Sequence, residues 1–114
     1  MSDDLFERIV QRDIPADIVF EDEEILAFRD VNPQAPTHIL IIPKRRIATI
    51  NEADSSDAGL LGRLILTARQ IAAEQGIAED GYRLVFNCNS HGGQTVFHIH
   101  LHLLGGRSLG WPPG

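Results

Sequence analysis

The run His98-Ile99-His100-Leu101-His102-Leu103-Leu104 sets three imidazoles at alternate positions. Alternate side chains of an extended chain share a face. The spacing therefore predicts His98, His100 and His102 on one side of a strand, with Ile99, Leu101 and Leu103 turned into the core. On a straight strand the three would stand about 6.8 Å apart and span roughly 13–14 Å between the outer Cα atoms. Imidazole titrates near neutral pH, so a row of imidazoles suits proton transfer, nucleophilic attack or metal ligation. The central His100 is the candidate nucleophile. A histidine nucleophile usually attacks phosphorus, and His98 and His102 would orient it, hydrogen-bond to phosphoryl oxygens or handle protons. Just upstream, Gly92-Gly93 lets backbone N–H groups approach an anion, while Gln94 and Thr95 add side-chain donors. Alone, the glycine pair equally fits a plain hairpin loop.

Metal binding is the first rival. Two imidazoles at i and i+2 can share one ion, but side chains perpendicular to a strand do not converge three at a time on metal–nitrogen bonds of about 2.0–2.1 Å. A metal would need His38 or another group. The expectation is no metal and no required cofactor.

The elements that position these residues are read from periodicity. Leu5, Phe6, Ile9 and Val10 form a helical stripe opening after Ser2 or Asp3 as N-cap and stopping near Ile14-Pro15. Ile18–Phe20 and Ile25–Phe28 read as strands joined by the acidic turn at residues 21–24. Asp30–Pro36 is a loop, and His38–Ile42 is a buried strand ended by Pro43. From Ser55 to Glu74, apolar residues recur every three and four positions, with Gly76 at the C′ position, which predicts one long helix. Tyr82–Asn87 and Val96–Leu104 read as two antiparallel strands around a loop at Cys88–Thr95. The Gly- and Pro-rich tail from Gly105 has no regular element.

The 114 residues suit a single domain spanning 1–114. A hydrophobic fraction of 43% and a charged fraction of 23% exclude a disordered tail, a collagen-like fibre or a coiled coil. The formal charge of −6 disfavours a broad surface for nucleic acid or anionic membrane. No apolar run approaches the roughly 20 residues needed to cross a bilayer. The acidic start is unlike a secretory leader and Cys88 has no partner cysteine, so the expected setting is cytoplasmic.

Taken together, His98–Leu104, Pro36-Thr37-His38 leading into Ile39–Lys44, Asn87, Gly92-Gly93-Gln94-Thr95-Val96, Gly105-Gly106-Arg107 and Trp111-Pro112-Pro113-Gly114 resemble the Hint branch of the histidine triad family. The resemblance runs from about Leu5 to the C-terminus. It implies an α+β, HIT-like fold with an antiparallel sheet of about five strands, a short N-terminal helix and one long helix, and a homodimer paired through that helix and a strand. It implies cleavage of purine nucleoside phosphoramidates and acyl-adenylates, releasing AMP or GMP through a nucleotidyl-His100 intermediate. His98, His102 and His38 match the supporting histidines, and Asn87, Gln94 and Thr95 match positions around the phosphate and leaving group. Asp30 matches the ribose-binding carboxylate. Phe6, Ile9, Phe28 and Val31 match the apolar clasp on the purine, although apolar residues at such spacing are usually core. Thr95 stands where the family often carries serine and keeps the hydroxyl. Trp111 either packs across the dimer near the partner's site or anchors its own tail. A nucleotide-binding or regulatory module without turnover is the alternative from a different class, and a His-ligated metal protein is the third.

Overall fold

The computed structural model describes residues 4–114. Helix α1 spans Leu5–Val10. Strands β1 (Ile18–Glu21), β2 (Ile25–Arg29) and β3 (Thr37–Pro43) follow, then two short 3-10 turns and helix α2 (Ala58–Glu74). Strand β4 (Tyr82–Phe86), helix α3 (Asn89–Gly92) and strand β5 (Leu101–Gly105) complete the chain. The five strands form one antiparallel sheet in the order β1-β2-β3-β5-β4.

The sheet is covered on both faces. Ile39 and Ile41 of β3 point with Leu101 and Leu103 of β5 toward Leu64, Ala68, Ile71 and Ala72 of α2. Leu40 and Ile42 point the other way, with Leu26 and Phe28, toward Phe6 and Ile9 of α1. This explains why the interior strands β2 and β3 read as continuous apolar runs. The acidic segment is the β1–β2 turn, closed by the Asp22 amide donating to Ile25 O and by Asp22 Oδ1 accepting from the amides of Glu24 and Ile25.

Four local readings need correction. The proposed caps Ser2 and Asp3 lie outside the described residues, and the N-cap of α1 is Asp4, whose side chain accepts from the Glu7 amide. The long helix starts as a 3-10 turn at Ser55–Asp57, held by a reciprocal Asp54–Asp57 capping box, and becomes α-helical only at Ala58. It ends as expected, with Gly76 at φ +76°. The loop at Cys88–Thr95 contains α3, because Gln94 Oε1 accepts the Asn89 amide and Gly93, at φ +84°, closes the turn. The strand expected from Val96 begins only at Leu101. Before that point neither neighbour continues the ladder: β4 ends at Phe86, opposite Leu101, and the pairing with β3 stops at Ile41, also opposite Leu101, two residues before Pro43, which has no N–H to donate. Phe97 and Ile99 instead bond to the segment after β3, the Phe97 carbonyl accepting from Arg46 Nε and the Ile99 amide donating to Ile47 O at 2.7 Å. The alternation survives, since Ile99 joins the α2-side core while the histidines face Phe6.

Candidate active site

A hollow of about 350 Å³ opens between α1, β2 and the histidine segment. Phe6, Ile9, Phe28, Val31 and Val96 give it apolar walls, and Asp30, Thr95, His100 and His102 give it polar groups. Phe6, Ile9 and Phe28 are buried, and Val31 is 98% exposed at the rim. Sequence reasoning missed Leu5, Ile14, Pro15, Ala16 and Leu40, which also line it. Apolar residues at a helix end and in a strand carry no signal that separates pocket from core. A wider hollow of about 690 Å³ lies against α2, between Phe20, Arg63, Leu66 and Arg69, and holds none of the histidines.

The histidines are not a simple row. His100 is buried at the hollow, with its ring edge-on to Phe6 at 4.9 Å between centroids. Its Nδ1 donates to the main-chain oxygen of His98 at 2.8 Å, because that oxygen can only accept. The neutral ring then carries its lone pair on Nε2. The His98 ring is fully buried, with Nε2 donating to Pro43 O at 2.7 Å and Nδ1 3.2 Å from Asp4 Oδ2. Residue 98 thus orients His100 through its backbone, while its imidazole is occupied elsewhere.

His102 and His38 form a second unit. The Gln34 amide donates to His38 Nδ1 at 3.0 Å, so the neutral His38 ring carries its hydrogen on Nε2. That hydrogen goes to His102 Nδ1 at 2.9 Å, with Asp30 Oδ2 3.5 Å from the same Nε2. His102 must then carry its own hydrogen on Nε2, a buried atom with no protein partner. A buried donor left unpaired costs about 1–3 kcal/mol, which a bound acceptor would recover. Burial lowers the pKa of all three rings. His102 is pushed down to about 4 by desolvation, with repulsion from His100 and His38 adding to it. His100 and His38 are lowered chiefly by desolvation, against the pull of the Asp30 carboxylate. All three are neutral at pH 7.

Among the described residues, Asp30, His38 and His102 offer ligand atoms within 4.8 Å of one another, a group of the size a metal needs. The tautomers oppose that use. Binding an ion at His38 Nε2 would move its hydrogen to Nδ1, where the Gln34 amide already points a hydrogen.

The remaining sequence candidates sit around this centre. Asp30 Oδ1 accepts from the Asn32 amide, leaving the carboxylate half-open at the rim. Gln94 is buried and its side chain is taken up by the Asn89 amide and by the carbonyls of Ala48 and Val96, so it braces the loop from behind. Gly93 closes α3, and Asn87 packs behind Gly92; neither lines the hollow.

A model of the HIT domain matches residues 11–109. The chain belongs to the HIT domain family. It is 58% identical to the purine nucleoside phosphoramidase of Escherichia coli K12, over 93% of this chain and 89% of that protein. It is 60% identical to an uncharacterized HIT-like protein of Synechococcus elongatus, with both chains covered in full. The crystal structure of a HIT family hydrolase from Legionella pneumophila superposes with a TM-score of 0.95 at 61% identity, covering 96% of this chain and 98% of that one. The HIT fold expected from the motifs is thus the fold observed, with α3 as an added third helix.

Proposed function

We propose that this HIT domain is a nucleotide hydrolase that cleaves purine nucleoside phosphoramidates and acyl-adenylates by covalent catalysis through His100. The observation that carries the reading is the pair of complementary tautomers on the two histidines that line the hollow. His100 has a lone pair on Nε2, fixed by the His98 carbonyl, and His102 has an unpartnered Nε2–H, fixed through Gln34 and His38. One nitrogen suits attack on phosphorus and the other suits the charge that grows on a phosphoryl oxygen.

In the first step, His100 Nε2 forms a bond to the α-phosphorus and the P–N or P–O bond to the leaving group breaks. The amine or carboxylate departs, and the Thr95 hydroxyl at the rim is the candidate proton donor to a leaving amine. In the second step, water attacks the phosphorus of the nucleotidyl-histidine and gives a proton back to Thr95 (or to solvent when a carboxylate has left), the N–P bond breaks, and AMP or GMP leaves with His100 neutral again. The base sits between Ile9, Phe28 and Val31, and the ribose lies beside Asp30. No step calls for a metal or cofactor. The same reading pairs two copies through α2 and β4, whose outer faces support it: Ile65 and Leu66 are 43% and 54% exposed, and every β4 residue is only half-buried.

The test is hydrolysis of adenosine 5′-phosphoramidate with chelator present, by wild type and His100→Ala. Multiple turnovers in wild type, lost in the variant, support the reading. A wild type that holds AMP without cleaving the phosphoramidate or an acyl-adenylate would make the chain a binding module instead.

A further inference from the structure

The carboxylate of Asp4 meets three parts of the chain at once. Oδ1 accepts the Glu7 amide at 2.7 Å and caps α1. Oδ2 accepts from Arg46 Nε at 2.9 Å and lies 3.2 Å from His98 Nδ1. Arg46 Nε is shared with Phe97 O, also at 2.9 Å. An aspartate serving only as a cap could leave its second oxygen to water. Here the side chain is only 10% exposed, and the second oxygen is spent on Arg46, which bonds Phe97 O, and lies beside the His98 ring.

We propose that Asp4 is a positioning residue: with Arg46 it fixes residues 97 and 98, and with them the His98 carbonyl that aims the nucleophile. The His98 ring donates Nε2–H to Pro43 O, and Asp4 Oδ2 lies against its other nitrogen at 3.2 Å while holding Arg46 beside it. Its backbone is bracketed by the Arg46 bond to Phe97 O and the Ile99 bond to Ile47 O. Releasing one end of the ring and its Arg46 brace lets the 98 carbonyl drift, and His100 Nε2 swings with it. Through Oδ1 the same residue holds α1, whose Phe6 packs edge-on against both His98 and His100. The carboxylate therefore registers the base-binding wall against the reacting nitrogen, a linkage that shared hydrogen bonds make cooperative.

The inference rests on the hydrolase reading, and the experiment separates the two. Steady-state kinetics on adenosine 5′-phosphoramidate are measured for wild type, Asp4→Asn, Asp4→Ser, Asp4→Ala, Arg46→Met and the Asp4→Asn/Arg46→Met double variant. Asn and Ser cap helices about as well as Asp, so α1 stays in place. The expected result is a fall in kcat of about tenfold for Asn and Ser, with KM within about twofold, because a displaced nucleophile loses rate rather than binding. Ala should also raise KM as α1 loosens. The double variant should be no slower than the slower single, since both break one network. Asn, Ser and Arg46→Met all within about twofold of wild-type kcat would reduce Asp4 to a helix cap and overturn the proposal. The second readout needs no turnover. The Nδ1–H signal of His100 in ¹⁵N-histidine-labelled protein should shift or broaden in Asp4→Asn, and an unchanged signal would overturn the positioning role even if the wild type cleaved nothing.

Discussion

Nε2 of His38 stands 2.9 Å from Nδ1 of His102, and this contact fixes where each ring keeps its hydrogen. Because Gln34 donates to the far side of His38, the hydrogens run in one direction only, ending on His102 Nε2, a buried nitrogen without a partner. Replacing His38 by Ala or Phe frees His102 Nδ1 and lets the ring adopt the other tautomer. We expect kcat on the phosphoramidate to fall about 10- to 100-fold, in line with loss of one preorganised donor, with a smaller change in KM. Gln at the same position can present its amide N–H to His102 and should recover part of the rate. Equal rates for Phe and Gln would argue against the tautomer lock.

The proposed nucleophile should stay active on the acid side. Attack through His100 needs the neutral ring, and burial holds its pKa below the usual 6.5. The acid limb of kcat/KM therefore falls below about pH 6.5, the unshifted histidine value. A pH–rate profile with its half-point at or above that value would contradict a desolvated nucleophile.

The same burial makes the fold acid-sensitive. His102 binds its proton near pH 4 when folded and near 6.5 when unfolded, so between these values the unfolded chain holds more protons. Stability is then unaffected above about pH 6.5, declines as the pH falls toward 4, and loses roughly 2–3 kcal/mol from this ring. Urea midpoints at pH 7.5, 5.5 and 4.5 test the slope, and His102→Gln should make it shallower, His100 and His38 supplying what remains.

At the start of the tail, Gly106 holds φ +91°, and a Cβ built there would lie 2.9 Å from Pro36 Cβ, the ring just before Thr37 and His38. Gly106→Ala meets both an unfavourable backbone region and a stiff neighbour. A loss of about 1–3 kcal/mol in denaturant unfolding is expected. A loss under about 0.5 kcal/mol would mean the turn relaxes freely.

Chelation should leave turnover unchanged. The Gln34 amide opposes an ion at His38, so dialysis against a strong chelator is expected to cost nothing, and added zinc should not raise kcat. Activity that vanished on chelation and returned with one metal would favour the metal rival.

Much of the fold was legible because its signals are periodic. Leu64, Ala68, Ile71 and Ala72 repeat at helical spacing, and the run Ile39–Ile42 is apolar on both faces because α1 and α2 each cover one. The histidine spacing put His98, His100 and His102 on the correct side, yet the straight strand was not there. Nothing in residues 96–100 announces that Pro43 and Phe86 have ended the neighbouring strands. Helix α3 was hidden because its start depends on the side chain of Gln94, five residues on from the amide it satisfies. Asp4 read as one acid in an acidic start, since its bonds to Arg46 and His98 cross 42 and 94 residues of chain.

The two bonds that settle the reactive nitrogens both involve main-chain atoms, the His98 carbonyl and the Gln34 amide. A survey that changes only the imidazoles leaves both bonding groups on the chain and would credit the whole effect to the rings. Chemistry that edits the chain itself would expose them: an ester in place of the amide that Gln34 contributes, or a thioamide in place of the carbonyl of residue 98. The side chains around residue 98 hold the chain in place, but it is the chain that chooses which nitrogen of His100 keeps its lone pair.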